Sequence, residues 1–543
     1  MITLQGQGVS KGFAFGRLKF YHQHESSAVQ RRPIQDAAAE IQRVEAAARK
    51  VSEDLEKLYA RTVKSLGEEN AELFHIHQML LEDPDFRDAI AQTIQEESVC
   101  GEYAVQQAGE TFAHAFAAMD DSYLQARSAD IVDVASHLLQ VLTGSDAESM
   151  DFGEPVILAA DDLVPSDTAR MDTSKVLAFV TAKGSATSHA AIFARTMGIP
   201  TIVGLGDVLR PEMDGLEAAV DGCEGNLVLE PDPEVTAVLR GKEAIYRQML
   251  EQAEKFRGKE TRSADGRTLK LCANVGGMED VKAAVRADAE GIGLLRSEFL
   301  YLQSSDYPAE ETLFQAYRQA LERMKGKQVV IRTLDIGADK QADYFHLAPE
   351  ENPAMGLRAI RLCLNRPELF RTQLRAIYRA SAFGKAAIMF PMITGVNEVR
   401  QAKEIAASVR KELAEEGVTF DSSVPIGIMI ETPSAAILSD ELAKECDFFS
   451  VGTNDLTQYT LALDRQNAGV AAFDDPRHQA VLRLIELAAK NAHAAGIWIG
   501  ICGELGADVA LLPAFLRMGI DELSVTPGSI LTLRAKIATL SVQ

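Results

Sequence analysis

Residues 425–455, PIGIMIETPSAAILSDELAKECDFFSVGTND, decide the fold. The apolar run PIGIMIE is followed by a helical stretch bearing Ala and Leu, and then by a second apolar run, FFSVGT. That order is the strand-helix-strand unit of a parallel sheet. The same alternation recurs on both sides: LKLCANV, GIGLLRS, QVVIRTLD and AAIMFPMI come before it, and WIGICGE and ELSVTP after it. Eight such units over about 280 residues predict a (β/α)8 barrel spanning 261–543, with its working site at the C-terminal ends of the strands.

Upstream of the barrel the texture changes twice. Residues 146–232 hold the short strand-like runs PVILAA, KVLAFV, TIVG, AAVDG and NLVLE separated by turn residues, and residues 1–24 share that character. The two pieces are expected to form one small α/β domain. Between them, apolar residues recur at spacings of three and four from about Ile34 to Leu142, with a break only near LEDPDF, where Pro84 follows Asp83. Residues 25–145 therefore read as an inserted helical bundle, either a packing module with solvated acidic faces or a docking surface. Within a 233–260 linker, Glu234 to Arg257 reads as one charge-rich amphipathic helix, a semi-rigid arm. The expected class is multidomain α/β.

The composition, 47% hydrophobic and 25% charged, excludes disorder and fibrous structure. A net charge of −24 argues against a broad grip on nucleic acid or anionic lipid and favours a basic protein partner. The start, MITLQGQGVSKG, lacks the layout of a signal peptide, and no run is apolar enough to insert in a membrane, so a cytoplasmic location is expected. Six cysteines with no CxxC spacing fit reduced thiols better than a disulfide or zinc framework.

The predicted strand ends bring a distinctive set of side chains to one mouth: Arg296, Arg332, Glu431, Asn454, Asp455 and Cys502, with Arg465 in the loop beyond Asp455. Guanidinium forks clamp phosphate and carboxylate, while two carboxylates together with a ligand's own oxygens complete a Mg²⁺ octahedron. The pattern suits a small phosphorylated and carboxylated substrate; the plainer reading is a ring of structural ion pairs. Cys502, flanked by glycine in GICGEL, reads either as buried filler or as a thiol able to protonate an enolate carbon.

A second chemical centre lies in the small domain. His189 follows the run Gly184-Ser185-Ala186-Thr187-Ser188 and opens a helix of small residues closed by Gly198. A helix N-terminus with hydroxyls beside it holds phosphate, and a neutral imidazole there can attack a phosphoryl group to give phosphohistidine. The other nine histidines show no metal spacing and read as structural or surface residues.

These motifs, in order, are SHAAIFARTMGIPTIVG, GIGLLRSEFLYL, RTLDIGADK, ENPAMGLRAIR, FPMITGVNEVR, GIMIETPSA, FFSVGTNDLTQYTLALDR and GICGELGAD. Along essentially its whole length the chain resembles the Enzyme I family of the phosphoenolpyruvate-dependent sugar phosphotransferase system. The resemblance implies that His189 takes the phosphoryl group of phosphoenolpyruvate and passes it to a histidine of the carrier protein HPr. It also implies that Glu431 and Asp455 hold Mg²⁺, that Arg296, Arg332, Asn454 and Arg465 bind the substrate, with Arg358 supporting the same pocket, and that Cys502 protonates the enolate of pyruvate. Thr168 and Arg195 match positions that hydrogen-bond His189 or its phosphate. By the same likeness the helical insertion docks HPr and the barrel forms a homodimer. Ser185, Ala338 and Gln466 depart from the family's usual residues, which leaves rate and substrate affinity open.

Three other readings fit the sequence less well. A dikinase or synthase acting on phosphoenolpyruvate needs an ATP-binding domain, for which 25–145 is too short and too helical. A sensor paralogue is expected to carry a sensory domain ahead of GVSKG, and a barrel lyase would leave His189 without purpose.

Overall fold

The computed structural model describes residues 1–21, 29–66, 68–117, 122–144, 152–163, 167–168, 171–184, 188–302, 304, 306–337, 343–348, 350–465 and 467–542. Ser185, Ala338 and Gln466 lie outside them. Two compact units are present, Met1–Arg247 and Gln248–Gln543.

The first unit is built on an eight-stranded sheet, among the described residues, in the order β1-β8-β7-β3-β4-β5-β6-β2. Its strands are β1 Ile2–Gln5, β2 Gln7–Ser10, β3 Phe13–Tyr21, β4 Val156–Ala160, β5 Val176–Thr181, β6 Thr201–Val203, β7 Glu217–Asp221 and β8 Asn226–Leu229. The runs marked in the sequence are strands because their branched and small apolar residues fill both faces: all five residues of β4 are buried. β3 pairs in parallel with β4, Arg17 opposite Val156 through Tyr21 opposite Ala160. The helices therefore intervene between two adjacent strands of one sheet, which is what makes them an insertion.

Five helices are described in that insertion: α1 Ala37–Leu66, α2 Glu68–Glu82, α3 Pro84–Glu97, α4 Gly101–Ala117 and α5 Ser122–Thr143. Val44, Ala47, Val51, Leu55 and Leu58 form the buried stripe of α1, and Phe86, Ile90 and Ile94 that of α3. The Asp83 carboxylate accepts the N–H groups of Asp85 and Phe86 at 2.9 and 3.1 Å, with Pro84 behind it, so the start read at LEDPDF is an N-cap. The expectation of a single break is corrected. A second falls at 98–100, where Ser98 adopts φ 50° and Val99 bridges to Pro33. The Ser98 carbonyl, turned out of the helix, accepts the Ile34 N–H at 2.9 Å.

The helix expected over Glu234–Arg257 runs Pro233–Glu254, and turns follow to Arg257. Its first half lies on the sheet: the Arg240 guanidinium stacks 3.7 Å from the Phe15 ring centroid, and Lys242 pairs with Asp221 at 3.3 Å.

The second unit is a closed barrel of eight parallel strands: β9 Lys270–Val275, β10 Ile292–Arg296, β11 Val329–Arg332, β12 Ala386–Phe390, β13 Ile426–Ile430, β14 Phe448–Val451, β15 Trp498–Ile501 and β16 Glu522–Val525. All eight predicted runs are strands, and β16 returns to pair with β9. Residues pointing outward, such as Leu271, Ile331, Ile388 and Phe449, join the helices in one continuous core, while Leu294, Val330, Met389, Met429 and Phe448 fill the interior. One tie escaped the sequence reading. Arg534, 1% exposed, donates to the Asp288 carboxylate at 2.5 Å and to the Phe256 carbonyl at 3.2 Å, fastening the last helix to the segment that enters the barrel.

Candidate active site

Strand geometry puts the predicted residues at one end of the barrel. Arg296 and Arg332 are the last residues of β10 and β11, and Glu431 and Cys502 directly follow β13 and β15. Asn454 and Asp455 lie in the first turn of the helix Thr453–Leu461 after β14. Together with Arg465 these residues line one cavity of about 1030 Å³.

The interior of that cavity is held by a buried charge network. Arg332 donates to Glu298 Oε1 at 2.8 Å and pairs with Asp335 at 3.0 Å; Arg358 donates to the other oxygen of Asp335 at 2.8 Å. Arg358 is absent from the cavity wall. It lines a neighbouring cavity of about 480 Å³ that shares Asp455, Gln458 and Arg465, and it reaches the first site by fixing Asp335. The carboxylates around them raise the affinity of both guanidiniums for their protons, against the effect of burial.

The carboxyl of Glu431 is 1% exposed and accepts the Met392 N–H at 2.5 Å. Burial first, and then Asp455 and Asp335 nearby, push it well above the ordinary carboxylate range. Buried carboxyl groups outnumber buried guanidiniums here, with Glu298, Asp335, Glu431 and Asp455 near Arg332 and Arg358. Asp455 also meets Arg465 at 3.4 Å, and Arg465 is partly exposed. Asn454 and Glu504 exchange two hydrogen bonds, side-chain amide to carboxylate at 3.2 Å and Glu504 N–H to Asn454 Oδ1 at 3.1 Å. Arg296 is exposed at the rim. The Cys502 thiol donates to the Val451 carbonyl at 3.5 Å, and burial pushes its pKa up to about 11.

Sequence reasoning passed over Glu298 and Asp335, which orient Arg332. The signal available was position: each lies two or three residues beyond a strand-end arginine, inside the quoted GIGLLRSEF and RTLD runs. Asp474, Asp475 and Arg477 also line this cavity, with Arg477 donating to Asp508 at 2.6 Å.

In the first unit, His189 is the first residue of the helix His189–Met197. The Ser188 hydroxyl caps it by accepting the Ala191 N–H at 3.4 Å, and Gly198 closes it at φ 68°. The His189 side chain lies outside what the structure describes. Thr168 is buried, and Arg195 is exposed in the last turn of that helix.

Known protein families match three stretches of the chain. The family described as PEP-utilising enzyme, PEP-binding domain, matches residues 250–542; the N-terminal family of such enzymes matches 5–127, and their mobile-domain family 152–225. The chain is 42% identical over 539 residues to the phosphoenolpyruvate-protein phosphotransferase of Priestia megaterium, covering 99% of this chain and 94% of that one. It is 40% identical over 545 residues to the protein of that name in Bacillus subtilis (strain 168), covering 100% and 95%. The solution structure of an Enzyme I (nEIt) protein is similar at 33% identity and a TM-score of 0.40, over 45% of this chain and 99% of that one.

Proposed function

The chain belongs to the phosphoenolpyruvate-protein phosphotransferase family, and on that premise we propose that phosphoenolpyruvate binds in the barrel mouth and phosphorylates His189. His189 then passes the group to a histidine of HPr, the first step of the sugar phosphotransferase system. The observation that carries this reading is the mouth itself, where Arg296, Arg332 and Arg465 stand around one cavity with Cys502 at its wall. Three guanidiniums suit a ligand with a phosphate and a carboxylate.

The neutral imidazole of His189 attacks phosphorus, the bond from phosphorus to the enol oxygen breaks, and the electron pair leaves on the enolate. Arg332, held rigid by Glu298 and Asp335, steadies the charge on the departing oxygens without having to reorganise. Cys502 gives its proton to the methylene carbon, which yields pyruvate, and the thiolate recovers a proton from water. Its raised pKa keeps the thiol protonated near neutral pH, the form a donor needs. Asn454 and Arg465 contact the substrate's phosphate and carboxylate, Arg358 acts through Asp335, and Thr168 and Arg195 steady the phosphorylated imidazole.

Mg²⁺ fits the excess of buried carboxylate over guanidinium, with Glu431 and Asp455 as the residues that would hold it. When bound it supplies positive charge against the phosphate and enolate oxygens. Among the described residues no group of three or more His, Cys, Asp or Glu is arranged to hold a metal. Substrate oxygens would therefore complete the shell.

HPr is assigned to the helical insertion, where a cavity beside the buried stripes of α1 and α3 is edged by Glu45, Glu82 and Asp88, with Arg87 among them, an acidic margin suited to a basic partner. The barrel is assigned the homodimer contact, in keeping with exposed Ile437 and Phe473. No helix among the described residues is long and apolar enough to cross a membrane, and a cytoplasmic setting suits a carrier that is shared between reactions. Because one imidazole meets both phosphoenolpyruvate and HPr in each cycle, the helix Pro233–Glu254 is proposed as the element that lets it travel.

The test is incorporation of label from phosphoenolpyruvate with a radioactive phosphoryl group, in the presence of Mg²⁺, into wild type and His189→Ala. Label in wild type alone, lost in acid and kept in base, is the expected result. Equal labelling of the variant would remove His189 from the reaction, and no labelling of either would remove the transferase reading.

A further inference from the structure

Inside the barrel, one hydrogen bond joins two strands that are not neighbours. On β9, Leu271, Ala273 and Val275 belong to the outer core against the helices, so the alternation of a strand turns Cys272 and Asn274 inward. The Cys272 thiol donates to the buried Glu522 of β16 at 3.2 Å. Asn274 stands one inward position nearer the mouth. Its Nδ2 reaches past β16 and donates to the Cys502 carbonyl at 2.9 Å, just beyond the end of β15.

That carbonyl lies outside the ladder. β15 ends at Ile501, and its last pair with β16 is Ile501 with Leu523. A buried backbone carbonyl past that point must find its hydrogen bond elsewhere. The rest of Cys502, which is 3% exposed, is tied to β14: its N–H donates to the Val451 carbonyl at 3.0 Å and its thiol to the same oxygen at 3.5 Å. Gly503 follows, where a Cβ would collide with Thr453. Glycine at this point leaves the peptide between residues 502 and 503 free to turn unless a partner holds it.

The Asn274 amide has no other task among the described residues. Its Oδ1 is buried and makes no hydrogen bond among them, so the bond from Nδ2 to Cys502 is the one the side chain makes there. Only the NH₂ half of an amide can face a carbonyl, and that fixes which way the group is turned. The whole polar content of Asn274 is thus directed to the backbone of the proposed proton donor.

We propose that Asn274 is a positioning residue for the reaction at the mouth: by holding the Cys502 carbonyl it sets the thiol against the methylene carbon of the enolate. The proposal rests on the reading of Cys502 as the donor. The proton passes from sulfur to carbon as already described, and Asn274 neither gives nor takes one.

The test is a double-mutant cycle on single-turnover formation of pyruvate from phosphoenolpyruvate with Mg²⁺, in wild type, Asn274→Ala, Cys502→Ala and the double variant, each as the full chain. Affinity for phosphoenolpyruvate is measured separately, and the fluorescence of Trp498, the single tryptophan, checks that the barrel is folded. Asn274→Ala is expected to slow turnover about ten-fold with affinity kept, and to add no further loss in the Cys502→Ala background. Asn274→Leu, similar in size and without the amide, is expected to match Asn274→Ala, which separates loss of the hydrogen bond from loss of packing.

Normal turnover in both Asn274 variants beside slow turnover in Cys502→Ala would overturn this role and leave the donor standing. The same ten-fold loss on adding Asn274→Ala to Cys502→Ala would overturn it too, since the effect would then not pass through the thiol. Normal turnover in Cys502→Ala would remove the donor and the positioning role together.

Discussion

Arg332 and Glu298 are paired at 2.8 Å with each side chain about nine-tenths or more buried, and Asp335 closes on the same guanidinium at 3.0 Å. Two carboxylates hold one strand-end arginine, so its direction is set before any ligand arrives. That arrangement restrains the rotamer entropy a lone arginine would lose on binding.

Removing one partner from this pair leaves buried charge uncompensated. Glu298→Ala is expected to destabilise the barrel by about 3 kcal/mol and to raise KM for phosphoenolpyruvate. Denaturation followed by Trp498 fluorescence, which reports on the barrel alone, checks the first effect; steady-state kinetics check the second. An unchanged midpoint together with unchanged KM would mean that Asp335 suffices.

Glu522 makes barrel stability depend on pH. Its carboxyl titrates near 7 in the fold against an ordinary value of 4.5, so between those values the folded state binds more protons than the unfolded one. Stability from this residue is therefore full below about pH 4.5, is lost as pH rises to about 7, and is level beyond, a difference of about 3 kcal/mol. Glu522→Gln is expected to flatten that part of the profile and to be the more stable form at pH 8. Parallel profiles for the two proteins would show that burial does not hold the proton.

Cys502→Ala is expected to slow turnover of phosphoenolpyruvate about a hundred-fold, within the usual range for loss of a general acid, while the affinity for phosphoenolpyruvate is kept. Rapid quench separates the chemical step from binding. Normal turnover would return Cys502 to the role of filler against Val451.

In the helical insertion, Asp83→Ala removes the cap of α3 at a cost of about 1 kcal/mol. Because a chain of several domains does not unfold in one step, hydrogen exchange is the suitable readout. Faster exchange is expected at Asp85 and Phe86, with no change in the barrel strands. A uniform change through the chain would contradict a local cap.

Much of this architecture is legible in local pattern. The runs PIGIMIE and FFSVGT announce strands because their residues suit a sheet buried on both faces, and Asp83-Pro84 announces a helix start because its groups act within a few residues of one another. The break at Ser98 was less legible, since a left-handed stop needs no proline or glycine to mark it. Likewise, Glu298 and Asp335 carry no signal of their own beyond lying close to an arginine at a strand end.

Local pattern is enough for the repertoire: eight barrel strands, a helical insertion, a histidine opening a helix of small residues, and the charged residues that end the strands. Those follow from periodicity and capping, which operate between near neighbours. The partners of those residues come from the folded chain. It brought Arg332 to Glu298 and Asp335, turned Arg358 toward Asp335 from an adjoining cavity, and set Glu522 under Lys270 at the far end of the barrel. The physical reason is closure: once β16 pairs with β9, residues hundreds of positions apart share one interior, and their buried charges and hydrogen bonds must be satisfied by one another.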